Sequence, residues 1–241
     1  MPCDRLAAYH STMVIGGLQK ISLIDYPGKI CAILFLQGCN FRCPYCHNPE
    51  LVNPELYGRP LPEEEVWAFL EKRVGKLDGV VITGGEPTVH KDLLDIMRRI
   101  TALGLSVKLD TNGSKPDMLK DIIHSGCVDY IAMDIKAPLK RYAELTGVAV
   151  DTAAIQESIR LIMQSPIAYE FRTTLARSLL KPEDVLEMAQ LIAGARLYAL
   201  QRFVPSKHVE AGFVSEASFA PQELEALQAA VQPVVEECII R

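Results

Sequence analysis

Residues 30–48 read Ile-Cys-Ala-Ile-Leu-Phe-Leu-Gln-Gly-Cys-Asn-Phe-Arg-Cys-Pro-Tyr-Cys-His-Asn. The first seven are apolar and rich in branched or aromatic side chains, the pattern of a strand buried on both faces. Gln37 and Gly38 end that run, and a polar loop carrying Cys39, Cys43 and Cys46 follows at once. A buried strand that feeds directly into a ligand-rich loop reads as the first unit of a parallel β/α fold, whose site lies beyond the strand's C-terminal end.

The same pattern recurs downstream. Short β-branched runs at 79–83, 106–110, 130–135, 169–174 and 197–203 alternate with helical patterns at 62–72, 91–103, 116–124, 152–164 and 182–193, and a last helical pattern covers 221–231. Pro62, Pro116 and Pro182 stand where a first helical turn tolerates a missing N–H. Strand–helix alternation of this kind implies a parallel sheet. Six strands are too few for the closed eight-stranded barrel. The expected fold is therefore α/β, an open, partial (β/α)6 barrel with a parallel sheet. Residues 1–12 are polar and without periodicity, and they are expected to form a loose extension to one barrel domain spanning 13–241.

Of the 241 residues 49% are hydrophobic, enough for a sizeable core. A net charge of -5 argues against a nucleic-acid partner, since a phosphate backbone calls for a basic face. No apolar run is long enough to cross a bilayer, and the first residues lack the apolar core of a secretory signal. A cytoplasmic protein without a membrane partner is expected.

Seven cysteines in a cytoplasmic chain are more readily ligands or buried thiols than disulfides. Cys3, Cys31, Cys127 and Cys238 are scattered and read as small buried residues. Cys39, Cys43 and Cys46 lie within eight residues, and three thiolates so close repel one another unless a cation or cluster neutralises them. A purely structural reading conflicts with the polar neighbours Asn40, Arg42 and Pro44. Zinc would need His47 as its fourth ligand, but adjacent Cys46 and His47 are poorly placed for neighbouring tetrahedral corners. A c-type haem at Cys43-Pro-Tyr-Cys46-His47 leaves Cys39 without a role. An iron–sulfur cluster fits better, although ordinary clusters take four cysteines. Three ligands leave one iron open to a substrate.

Polar and glycine-rich residues gather at successive strand ends: Gly84, Gly85 and Glu86, then Asp110, Thr111, Asn112 and Gly113, then Asp134 and Lys136, then Arg172. Active sites of parallel β/α barrels form at that face from several strands, so these residues are expected to share one pocket.

The C-x3-C-x2-C spacing, with Tyr45 before the last cysteine, resembles the signature of the radical S-adenosylmethionine (SAM) superfamily. That resemblance implies a [4Fe–4S] cluster on Cys39, Cys43 and Cys46, with SAM chelating the open iron. Gly84-Gly85-Glu86-Pro87 resembles the family's SAM-ammonium motif. Asp110-Thr111-Asn112-Gly113 and Asp134-Ile135-Lys136 resemble segments of glycyl-radical activating enzymes that contact the SAM ribose and carboxylate. There the aspartates and the threonine can also hold a monovalent cation. Arg172 is expected either to pair with the SAM carboxylate or to form a salt bridge with a barrel glutamate. No side chain is expected as general acid or base, because the cofactors carry the chemistry.

Residues 17–29 and the His47-Asn48-Pro49-Glu50-Leu51 segment are similar to the anaerobic ribonucleoside-triphosphate reductase activating proteins. Pyruvate formate-lyase activases share Cys46-His47-Asn48. The resemblance implies an enzyme that places a radical on a glycine of a partner enzyme, with flavodoxin or a similar one-electron donor. A pyruvate formate-lyase-type activase or a radical SAM enzyme acting on a small molecule remains the alternative. Some activases insert a cysteine-rich domain after the first motif, but no cysteine lies between Cys46 and Cys127. A mouth open to a protein loop, lined near Tyr45, Lys136 and Phe203, is expected.

Overall fold

Six apolar runs become six neighbouring parallel strands in chain order: β2 (Cys31–Leu36), β3 (Gly79–Gly84), β4 (Ser106–Thr111), β5 (Tyr130–Asp134), β6 (Ala168–Leu175) and β7 (Tyr198–Arg202). The computed structural model describes residues 14–204, 213 and 219–241. The expected extension at 1–12, with Cys3, lies outside the described residues. Between the strands run α2 (Glu63–Glu71), α3 (Leu93–Ala102), α4 (Pro116–Ser125), α6 (Thr152–Gln164) and α7 (Pro182–Leu191), and α8 (Pro221–Val231) follows β7. Pro116 and Pro182 open α4 and α7, where no N–H is needed.

The sheet is wider than the six-strand reading. β1 (Ile15–Ser22) pairs antiparallel with β2, and β8 (Cys238–Ile240) pairs parallel with β7, giving eight strands among the described residues. After Ile15, β1 continues with Gly16-Gly17, and its residues 19–21 are exposed, so it carries no apolar alternation to read. β8 has three residues, too few for a periodic signal. Two short helices, α1 (Pro49–Val52) and α5 (Tyr142–Thr146), sit beyond the ends of β2 and β5.

Strand register divides the side chains between two environments. Leu34, Ile82, Leu109 and Ile131 align across β2–β5 and, with Phe171, pack outward into one core with Trp67, Met97, Ile122, Ile159 and Met188 of the helices. Full burial of each such side chain contributes roughly 1.5–3 kcal/mol. The alternate residues Ile33, Val81, Lys108 and Tyr130 align on the opposite, inner face. Tyr26, Cys31, Ile33 and Val81 form a small apolar floor there, with Phe35 and Tyr130 against it. Towards the strand C-terminal ends the inner face turns ionic, with Lys108, Asp110, Asp134, Glu170 and Arg172. An apolar base below an ionic layer directs polar chemistry to one end of the barrel. No helix among the described residues is long and apolar enough to cross a membrane.

Candidate active site

Beyond β2 the chain turns through Gly38 (φ 102) into the cysteine loop. Phe41, 3% exposed, anchors the loop in the core, and Arg42 Nη1 donates to the carbonyls of Cys39 and Phe41 at 2.8 and 2.7 Å. The loop is braced on two sides by distant segments. Arg42 N–H donates to Thr146 O at 2.7 Å, and Gly147 (φ +70) lies so close that a Cβ would stand 2.4 Å from Arg42 O. On the other side Glu86 N–H donates to Gly38 O at 2.8 Å, and a Cβ on Gly85 would stand 2.0 Å from that oxygen. Only glycine permits either approach.

One pocket at the strand C-terminal ends takes in the expected ligand residues, with Gly113 and Phe203 outside its lining. Cys39, Cys43 and Cys46 line it with Tyr45. Gly84, Gly85 and Glu86 come from the end of β3, and Asp110, Thr111 and Asn112 from β4. Asp134, Lys136 and Arg172 complete it from β5 and β6. Thr83, Thr174 and Gln201 line it too and were not among the expected site residues, and His47, weighed in the sequence only as a zinc or haem ligand, lines it as well. Thr174 follows Arg172 by two residues and so shares its face, which is the signal that could have found it.

Among the described residues the cysteines form no disulfide. Burial pushes the Cys39 thiol up to about 12 and Cys43 to about 11, and it raises Cys46 as well. The Lys136 ammonium pulls all three the other way. Among the described residues no three His, Cys, Asp or Glu side chains come together as a set that could hold one metal ion. The three thiols line the wall of one cavity at the strand ends. A cluster would give each thiolate an iron of its own, whereas zinc would need a fourth donor here. A nearby cation and donors that must shed protons suit a metal-thiolate group.

Glu86 turns out to be a bracket. It is 1% exposed; Oε1 accepts from Thr88 N, Thr88 Oγ1 and Thr111 Oγ1, and Oε2 accepts from Asn112 N at 2.6 Å. Burial raises its carboxyl, and these donors hold it back. The carboxylate thus ties the end of β3 to that of β4, while the cysteine loop is tied on through Asn112 Nδ2 to Asn40 Oδ1 at 3.0 Å. Glu86→Gln replaces an acceptor oxygen with a donor facing donors. We expect a loss of roughly 1.5–3 kcal/mol in unfolding free energy by denaturant titration. An unchanged midpoint would rule out the bracket.

Arg172 does not pair with a glutamate. Its Nε donates to Asp134 Oδ1 at 2.9 Å and its Nη1 to Asp110 Oδ2 at 3.1 Å. The buried Glu170 is held instead by Arg241 and Tyr130. Lys108 and Lys136 pair with Asp110 and Asp134 at 2.8 and 2.9 Å. Lys108 is a further residue missed in the sequence, although its spacing from Asp110 puts both on one strand face. Burial alone would raise the Asp134 carboxyl, but Arg172 and then Lys136 hold it well below the usual range. A depressed native pKa adds stability that is present above about pH 4 and lost as the pH falls. Wild type should therefore lose more stability than Asp134→Asn between about pH 6 and pH 3, as read by urea midpoints. Equal slopes would show that the pair contributes nothing.

Phe203 is not on the pocket wall. It is 1% exposed, packed with Tyr45 and Ala176 and with its ring 5.2 Å from that of His47. An aromatic side chain at a strand end gains more from this cluster than from facing a polar mouth. Residues 205–212 and 214–218, on which the expectation of an open mouth also bears, lie outside the described residues.

The profile of the Radical SAM superfamily matches residues 33–192. A candidate glycyl-radical enzyme activating enzyme of Methanocaldococcus jannaschii is 31% identical over 233 residues, covering 95% of each chain. This chain is a radical SAM enzyme of the glycyl-radical activating family. The activase is also similar to the pyruvate formate-lyase-activating enzyme of Clostridium pasteurianum, 33% identical over 132 residues, 52% of this chain and 54% of that one. The crystal structure of QueE from Escherichia coli superposes with a TM-score of 0.55 at 16% identity, covering 97% of the activase and 95% of that chain, and shares its fold. A [4Fe–4S] cluster and SAM are the cofactors of the superfamily.

Proposed function

We propose that the activase places a glycyl radical on an anaerobic ribonucleoside-triphosphate reductase, with Cys39, Cys43 and Cys46 as the cluster ligands. When bound, the cofactors supply reductive cleavage of SAM to methionine and a carbon radical that takes a hydrogen atom from a glycine Cα. The chain's own residues bind and orient. The backbone at Gly84 and Gly85 would take the SAM ammonium, Asp110 and Asp134 would lie toward the ribose, and Lys136 and Arg172 would donate N–H groups to the carboxylate; all of these residues line the pocket. Tyr45 walls the pocket beside the third thiol, and the saturated Glu86 holds the strand ends in place. A flavodoxin-class protein supplies the electron.

The observation that carries the choice of partner is the absence of any cysteine between Cys46 and Cys127, together with the similarity of residues 17–29 to the reductase activases. An auxiliary-cluster domain has no ligands in that stretch. The test is anaerobic incubation of the reconstituted enzyme with reductant, SAM and candidate partners, read by electron paramagnetic resonance. A glycyl doublet on the reductase is expected. A doublet only on a formate-lyase-type partner would move the enzyme to that branch. SAM cleavage with no radical on any partner would point to a small-molecule substrate.

A further inference from the structure

Resemblance implies that Asp110, Asp134 and Thr111 can hold a monovalent cation. Here all three are already engaged. Asp110 accepts from Lys108 Nζ at 2.8 Å and from Arg172 Nη1 at 3.1 Å, and Asp134 accepts from Lys136 Nζ and Arg172 Nε, both at 2.9 Å. Thr111 Oγ1 donates to Glu86 at 2.7 Å and accepts from Gly113 N at 3.1 Å. Three side-chain cations thus face two carboxylates, and the neighbouring Glu170, which also acts on Arg172, is balanced by Arg241, so the group keeps an excess of one positive charge. None of the five side chains is more than 25% exposed. A bare cation entering there would give up its water to join a group already positive, and both effects oppose it.

We propose that Arg172 is the built-in counter-cation of this site, its guanidinium bridging the two strand-end carboxylates in place of a monovalent metal ion. The planar fork suits the task, because Nε and Nη1 reach acceptors on β5 and β4 from a residue of β6 without rearrangement. A single ammonium or a hydrated ion has no such fixed span. Arg172 Nη2 has no partner among the described residues, so the excess charge has a donor to offer an anionic group of the ligand. The site therefore takes up a carboxylate without a metal ion between. For its ligand this inference rests on the SAM reading above; for its charge balance it does not.

Two measurements test it at constant ionic strength, comparing K⁺, Na⁺ and tetramethylammonium chlorides. Thermal unfolding of the metal-free protein reads the charge balance, and SAM titration of the reconstituted enzyme reads the ligand. Wild type should show the same Tm in all three salts, and SAM Kd values within about twofold of one another. In Arg172→Gln, SAM affinity in tetramethylammonium should fall roughly ten- to a hundredfold, and K⁺ or added guanidinium ion should restore much of it. Arg172→Lys, which keeps the charge but loses the fork, should lie between. A saturable rise of wild-type Tm with K⁺ or Na⁺, or a wild-type SAM affinity more than about fivefold better in either, would overturn the proposal even if Arg172→Gln fails to fold. Failure of wild type to bind SAM in any salt would sink the SAM reading instead, while the Tm comparison would still decide the counter-cation.

Discussion

Alanine at any one of Cys39, Cys43 or Cys46 should leave a folded protein that holds no complete [4Fe–4S] cluster and cleaves no SAM. The three thiols are only partly buried at the lip of the core, so truncating one costs the fold little, about 1 kcal/mol as for an average substitution. The effect on the cluster is of another order. With three proposed ligands one iron would already lack a protein donor, and a second such iron would leave the cluster open to loss. Iron content, the brown absorbance of the reconstituted protein and methionine release should all fall to background together. Cys31 sits in the apolar floor and Cys238 in the outer core, while Cys127 lies at the core's edge; each should be dispensable for the cluster. A full cluster in Cys43→Ala, or its loss only in Cys127→Ala, would refute the ligand assignment.

The second large effect is expected from a single methyl group. In Gly85→Ala the new Cβ would lie 2.0 Å from Gly38 O and 2.6 Å from Gly38 C, both backbone atoms that cannot swing aside. The two bonds that hold this junction, Gly85 N to Leu36 O and Glu86 N to Gly38 O, both 2.8 Å, must give way. The cysteine loop then moves relative to the strand ends proposed to hold SAM. A misplacement of about 1 Å can cost roughly a hundredfold in rate, and we expect at least that loss in SAM cleavage. Gly58→Ala is the control, because nothing lies within 4 Å of its added Cβ. Activity within about threefold of wild type in Gly85→Ala would mean that the two loops are not coupled.

Much of this was legible in the sequence because two physical signals coincided. Continuous apolar runs marked the parallel strands, as with 79–83 against the observed Gly79–Gly84. Polar residues at their ends marked one pocket, since a parallel barrel leaves them nowhere else to meet. What escaped was set by pairing rather than by composition. β1 is held in place by its ladder with β2, not by an apolar face of its own. Lys108 reads as a stray charge inside a strand until Asp110 and the inner face supply its partner. Glu170 is buried with Arg241, far along the chain, as its ion-pair partner. Arg172 was found, but its partners depend on three strands being adjacent, which one strand's sequence does not encode.

The brace behind the cysteine loop has a consequence for the order of events in synthesis. Arg42 rests on Thr146 and Gly147, about a hundred residues later in the chain. A growing chain therefore presents its three thiols to the cell well before the surface that shapes them exists, and closing so long a loop is the slow part of assembling such a fold. We expect iron delivery to follow barrel assembly rather than to nucleate it. Ribosome-bound chains stalled before α5 emerges should take up no stable cluster, whereas chains stalled after β6 has emerged should begin to do so. Equal uptake at both lengths would show that the thiols need no brace. Until that point the nascent enzyme is a chain with three exposed, oxidisable thiols, and its yield should be most sensitive to oxygen during translation.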